Sequence, residues 1–209
     1  ARSCGLGDID SDGDLDIAVA VDAGPGKLFW YQNPGGTAAL DSSLWHEYLI
    51  DNTQSRGADA QIGDLDQDGN PDIVYSDVPT AVYAYFAPAD PSNIAGWQRV
   101  MVAGDAYHAL LVDFDGDGDL DILRAGAYSA LVSWVANPGG VAARNPANWI
   151  EYIIEQSSSI SIANRVWAAD IDGDGDLDVG VDADPSGSTP NTATITFNVQ
   201  TNPLGDCNC

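Results

Sequence analysis

Over short stretches of this chain, apolar and polar positions alternate one for one. That is the period of a strand with one covered face, not of a helix. Runs rich in β-branched residues lie at 15–21 (LDIAVAV), 71–76 (PDIVYS), 120–126 (LDILRAG) and 177–183 (LDVGVDA). A shorter run precedes each, at 57–63 (GADAQIG), 106–112 (AYHALLV) and 165–170 (RVWAAD), with 1–7 (ARSCGLG) filling the same slot less well. A third run follows and closes on a proline turn in 27–36 (KLFWYQNPGG), 81–88 (AVYAYFAP), 130–140 (ALVSWVANPGG) and 193–203 (ATITFNVQTNP); proline cannot continue a ladder, and glycine permits the turn. A tryptophan then opens a fourth run at 45–50 (WHEYLI), 97–102 (WQRVMV) and 149–154 (WIEYII). After Pro203 only LGDCNC remains, so the fourth unit is expected to be truncated and to lack this strand. No amphipathic helical pattern of useful length appears. The fold class predicted is all-β, one repeat domain over 1–209, with units near 1–55, 56–104, 105–162 and 163–209.

Between the first and second run of every unit lies the same nine-residue loop. The copies are DIDSDGDLD (8–16), DLDQDGNPD (64–72), DFDGDGDLD (113–121) and DIDGDGDLD (170–178). Asp stands at loop positions 1, 3, 5 and 9 and Gly at position 6. Calcium takes six to eight oxygens at about 2.3–2.6 Å, and alternate carboxylates on a turning loop can converge on it. Position 6 (Gly13, Gly69, Gly118, Gly175) allows the reversal. Position 7 (Asp14, Asn70, Asp119, Asp176) would offer only a backbone carbonyl, and its side chain varies accordingly. The position-9 Asp is expected to close the shell with both oxygens. A helix-flanked EF-hand needs Glu at position 12, where this chain has Val19, Tyr75, Arg124 and Val181. Four carboxylates about 5 Å apart repel by about 0.8 kcal/mol per pair at water's dielectric, or about 5 kcal/mol per loop at the upper end. A divalent ion reverses that sign. Magnesium prefers small octahedral sites with retained water, and soft metals want Cys or His.

Composition narrows the function. The net charge is −25, and the acids are 29 Asp against three Glu (Glu47, Glu151, Glu155). A general acidic surface would use both types; the shorter one belongs to tight loops. Lys27 and six Arg are the only fixed cations, too few to neutralise a nucleic-acid backbone or to form a polybasic membrane contact. No apolar run approaches the ~20 residues of a spanning helix. Apolar residues at 44% are enough for a core.

The DxDxDGxxD loops, with WYQNPGG at 30–36 and its echo WVANPGG at 134–140, resemble the FG-GAP/VCBS repeat family of integrin-type β-propellers and secreted microbial proteins. The resemblance spans about Ala1 to Pro203. It implies tandem, four-stranded, propeller-like blades with calcium held between the first two strands, about four ions per chain. By that resemblance the ligands are Asp8, Asp10, Asp12 and Asp16; Asp64, Asp66, Asp68 and Asp72; Asp113, Asp115, Asp117 and Asp121; and Asp170, Asp172, Asp174 and Asp178. Carbonyls would come from Asp14, Asn70, Asp119 and Asp176. Rings of this family usually close with about seven blades, although four lies within the range of propellers. An open arc would expose sheet edges on which another chain can pair, and contact that does not close gives a filament.

The remaining chemistry is sparse. Cys4, Cys207 and Cys209 make an odd count, expected to give a disulfide either within one chain, latching a ring, or between chains. Trp45, Trp97 and Trp149 recur at one position and Trp30 and Trp134 at another, which places them in blade cores; Trp167 and Tyr107 are less regular and are candidates for surface contact. His46 and His108 have no nucleophile at informative spacing, and no catalytic constellation is found. The expectation is a secreted or cell-surface, calcium-binding, non-enzymatic protein that self-associates into a filament or layer. The alternative is a calcium-stabilised lectin or adhesin with a glycan or cell-surface ligand. Neither involves nucleic acid or a membrane span.

Overall fold

The computed structural model describes residues 2–128, 131–156, 160–185 and 194–198. Four antiparallel sheets follow one another along the chain, each with its strands in sequence order. The first holds β1 (Ser3–Gly7), β2 (Asp16–Val21), β3 (Gly26–Gln32) and β4 (His46–Gln54). The second holds β5 (Gly57–Gly63), β6 (Asp72–Asp77), β7 (Ala81–Phe86) and β8 (Gln98–Ala103). The third holds β9 (His108–Val112), β10 (Asp121–Ala125), β11 (Leu131–Ala136) and β12 (Ile150–Gln156). The fourth, among the described residues, holds β13 (Ile160–Ala169), β14 (Asp178–Pro185) and β15 (Thr194–Asn198). The fold is all-β, and its units are propeller-like blades in tandem. The expected proline turn at Asn202-Pro203 lies outside the described residues, as do Cys207 and Cys209. Cys4 is exposed and forms no disulfide among the described residues.

Each blade packs face to face on the next. Ala18, Ala20, Leu28 and Trp30 of the first blade meet Ala60, Ile73, Tyr75 and Tyr85 of the second. Val74, Val82, Ala84 and Phe86 meet Ala109, Ile122 and Val135 of the third. Leu123, Ala125, Val132 and Trp134 meet Ala163, Val166, Val179 and Val181 of the fourth. Strand patterns follow from this stacking. In β2, buried and half-buried residues alternate, because one face is covered; β6 and β10 are buried throughout, because both are. The innermost strands β1, β5, β9 and β13 pack in succession along this series. No packing of that extent joins the fourth blade to the first among the described residues. Among the described residues the four blades form an arc.

Short 3₁₀ segments, which strand periodicity does not reveal, fill the connection from third to fourth strand: Gly36–Leu40 and Ser42–Leu44, Ile94–Gly96, and Gly140–Arg144 and Pro146–Asn148. They explain the recurring tryptophan. The indole N–H of Trp45 donates to Ala39 O, that of Trp97 to Pro91 O, and that of Trp149 to Ala143 O, at 3.1, 2.9 and 2.8 Å. The other tryptophan pair is buried, Trp30 stacked on Tyr48 and Trp134 on Tyr152.

Candidate metal centres

The Asp loops join the first and second strands of each blade. Their course needs left-handed backbone at two positions. At position 6, Gly13, Gly69, Gly118 and Gly175 have φ of 96°, 88°, 92° and 99°, which side chains resist. Position 4 is left-handed too, at Ser11, Gln67, Gly116 and Gly173, a requirement the sequence pattern did not disclose.

Carboxylates hold the loop in shape. The position-1 Asp accepts two backbone N–H bonds from across the turn. Asp8 takes them from Asp12 and Gly13, both at 3.0 Å, and Asp64 from Asp68 and Gly69 at 3.2 and 2.9 Å. Asp113 takes them from Gly116 and Gly118, and Asp170 from Gly173 and Gly175. The position-5 Asp accepts the N–H of position 7 in all four loops.

Position 9 has a second task. Asp16, Asp72, Asp121 and Asp178 open the second strand of each blade and are buried. One oxygen of each accepts the N–H of loop position 2, at Ile9, Leu65, Phe114 and Ile171. In the first three blades the other oxygen accepts an N–H beyond the third strand, from Asn33, Ala87 and Asn137, at 2.7–2.8 Å. This carboxylate therefore anchors the loop to the blade, a task beyond the ion ligation expected of it, and Asp72, Asp121 and Asp178 keep an oxygen close to the other loop carboxylates. Burial raises its pKa: Asp72 to about 7, Asp121 to about 6, and Asp16 in the same direction.

Each loop brings three carboxylates together, with one oxygen from each within 4.8 Å of the others: Asp8, Asp10 and Asp12; Asp64, Asp66 and Asp72; Asp113, Asp115 and Asp121; Asp170, Asp172 and Asp178. Two oxygens each about 2.4 Å from a shared calcium lie at most about 4.8 Å apart, so these spacings suit it. Positions 1 and 3 are always present. Position 5 joins in the first loop and position 9 in the others, leaving Asp16, Asp68, Asp117 and Asp174 outside the triads. The side chains of Asp14, Asp119 and Asp176 at position 7 are outside them too, consistent with a position from which only a backbone carbonyl is expected. The side chains of Asp14 and Asp119 lie where a Cβ on Gly35 or Gly139 would stand. Those glycines have φ of 77° and 73°, so the NPGG turns need glycine on both counts.

The clearest mark of a cation is an oxygen with nothing to bind. Asp10 Oδ1 and Asp66 Oδ1, both at position 3, are buried without a hydrogen-bond partner among the described residues. Their other oxygens are taken, Asp10 Oδ2 by Gln32 Nε2 and Asp66 Oδ2 by Arg144 Nε. A buried carboxylate oxygen left unanswered costs several kcal/mol, and a hard cation answers it. Like charge adds to the demand, for burial first and then Asp117 raise the pKa of Asp115.

Some contributors could not be read from the loop alone. Arg144 ends the 3₁₀ segment of the third blade, yet pairs with Asp66 and Asp68 in the loop of the second, the latter at 2.9 Å. Asn137, in the same blade's NPGG turn, donates to Leu65 O and Leu120 O. Gln67 Nε2 donates to Gly118 O, linking the second and third loops. The duplicated NPGG was the one sequence signal for any of these contacts. His46 packs at a tilt against Tyr48 on the first blade; His108 faces Asp59 instead.

A family model described as FG-GAP-like repeat matches three overlapping segments, residues 8–75, 64–124 and 113–181. Each match begins at one Asp loop and runs through the next, so the family's unit straddles two neighbouring blades. No curated protein matches the chain.

Proposed function

The chain belongs to the FG-GAP-like repeat family, and from that premise we propose that it is a calcium-stiffened structural protein that works outside the cell and associates head to tail with copies of itself. The ions are about four calciums, one per triad. The assembly reading rests on one comparison, between the two open ends of the arc and the three interfaces inside it.

Leu6 occupies the β1 position that Ile62 and Leu111 occupy in β5 and β9, on the face turned toward the preceding blade. Those two are partly buried against a neighbour, whereas Leu6 is 62% exposed. At the other end, Ile171 stands at loop position 2 of the fourth blade, on the face turned toward a following blade. It is 53% exposed, while its counterparts Ile9 and Leu65 are 2% and 0% exposed. Leu15 and Trp167 extend the two faces and are also exposed. Each face is thus built as half of an interface whose other half is a blade of this same kind. A second copy presents that half; a contact between the last blade of one copy and the first of the next is heterologous and propagates. The reading assigns the protein no chemical step.

Negative-stain microscopy and light scattering in millimolar calcium test this. Polymers are expected from the native chain, and Leu6→Asp and Trp167→Asp should each leave dispersed particles with unaltered calcium binding. Uniform small particles from the native chain at high concentration would refute the assembly.

A second reading, a glycan-binding module, has its own observation. A cleft between the first and second blades is lined by Trp97, Tyr85, Arg99, Asp51 and Thr53. Arg99 is fixed by Asp51 and Thr53 at 2.8 Å each, and Tyr85 donates to Asp51 at 2.9 Å. Fixed polar groups beside a half-buried indole are the ingredients of a sugar site. Binding on a glycan array that is lost in Trp97→Ala would favour this reading.

A further inference from the structure

The four inner strands start at the end of the arc opposite the Asp loops, and residues of all four line one cavity there. Ser3 of β1, Asp59 of β5, His108 of β9 and Arg165 of β13, with Arg2 and Asn164, wall a cavity of about 240 Å³. This end departs from the charge of the rest. The chain has 32 acids against seven fixed cations, yet two of its six arginines reach this one cavity. A third, Arg56, stands close by, sharing Asp22 with Arg2.

The buried acid in the wall is already answered. Asp59 accepts the Ser3 hydroxyl at 2.5 Å and the Ala109 N–H at 3.2 Å, and lies 3.8 Å from His108 Nε2. Arg2 is engaged as well, 3.5 Å from Asp22 and with its guanidinium 4.7 Å from the Tyr107 ring centre. Arg165 forms no ion pair among the described residues. Its field reaches the neighbouring imidazole: burial first, and Arg165 with it, hold the His108 pKa below the ordinary value against the opposing pull of Asp59. The Val166 N–H points at His108 Nδ1 from 3.5 Å, so Nε2 carries the proton of the neutral ring. What the cavity offers a ligand is therefore an uncommitted guanidinium, with N–H donors from neutral His108 and Asn164 in the same wall.

We propose that this cavity is a binding site for a small organic carboxylate, with Arg165 taking its oxygens as a bidentate partner and Arg2 supplying the second positive charge. The planar guanidinium fork matches a planar carboxylate. A carboxylate places one negative charge per group beside Asp59, whereas inorganic phosphate at neutral pH brings between one and two charges to one point. The acidic remainder of the molecule does not forbid the anion. Exposed charges are screened over about 8 Å at physiological salt, and four to five residues of strand, at about 3.3 Å each, separate Asp59 and His108 from the ends of their strands where the Asp loops begin.

Isothermal titration calorimetry of the full chain with succinate, at fixed free calcium, tests the site. Saturable one-site binding is expected, at least tenfold weaker in Arg165→Ala and partly restored in Arg165→Lys. Both variants should keep the native melting temperature and calcium stoichiometry, because Arg165 is exposed and unpaired. No saturable heat from the native chain would overturn the proposal. So would equal affinity in Arg165→Ala, or inorganic phosphate binding more tightly than succinate.

Discussion

At the scale of the residue, the Asp loop is governed by backbone handedness as much as by charge. A left-handed position costs a side chain about 1–2 kcal/mol, against about 0.5–1 kcal/mol of chain entropy lost when glycine is used. Gly13→Ala should therefore destabilise by about 1 kcal/mol or more, while Ser11→Gly, also at positive φ, should be neutral or stabilising by up to about 1 kcal/mol. Urea denaturation in excess calcium would show the pair moving in opposite directions; equal losses would mean that side-chain contacts, not φ, decide. The buried position-9 carboxylates predict a pH effect of definite sign. In the metal-free protein the folded pKa of Asp72 is raised to about 7 and that of Asp121 to about 6, above the unfolded value near 3.9. The unfolded chain then gives up its proton first, so metal-free stability should fall as pH rises from about 4 to about 7. Calcium, which favours the ionised form, should flatten that slope. Melting curves in chelator from pH 4.5 to 7.5 would reveal it, and a melting temperature that climbs with pH would contradict it. Asp at positions 1, 3, 5 and 9 was legible from spacing. The anchoring task of position 9 was not, because it depends on N–H groups that come from beyond the third strand, such as those of Asn33 and Asn137.

Elements show where sequence periodicity is informative and where it stops. Strand identity was plain in β2 and β6 because alternation and β-branching survive burial on one face or both. The 3₁₀ segments were hidden, since three to five residues give no period to detect, and with them went Arg144. That residue makes the second loop unlike the others. Its counterpart in the first blade, closing the parallel segment Gly36–Leu40, is Leu40, which is 89% exposed. Arg144 neutralises Asp66, a buried acid, from the neighbouring blade. Without calcium, Arg144→Leu should leave that charge uncompensated and cost about 3 kcal/mol. With calcium the ion compensates it, and the loss should be smaller. Linkage then requires the variant to bind calcium more tightly at this one loop. Thermal melts with and without chelator form the test; an equal penalty in both would show that Arg144 acts only as a spacer between blades.

Over the whole molecule, ions and interfaces act in series. Each blade contributes one wall to each core it shares, so no blade buries its apolar faces alone, and stability is a sum over neighbours. The metal sites enter that sum by mass action. At a dissociation constant of about 10⁻⁴ M, within the range of extracellular modules, 1 mM calcium adds about 1.4 kcal/mol per site, or about 6 kcal/mol for four. At roughly 2–4 °C per kcal/mol for a chain of this length, chelation should lower the melting temperature by about 12–24 °C. Asp115→Ala, which removes a triad member from the third loop, should reduce the stoichiometry from about four to about three and recover about a quarter of that shift. The loss should be felt on both sides of the third blade, because Leu120 of this loop packs against the core shared with the second blade and Phe114 against the core shared with the fourth. Hydrogen exchange resolved by segment would then show faster opening in β5–β14 together, while β2 and β3 of the first blade keep native protection. Loss confined to the third loop would mean that its ion stiffens a turn without joining the blades, and a melting temperature indifferent to chelator would remove calcium from the stability of the fold altogether.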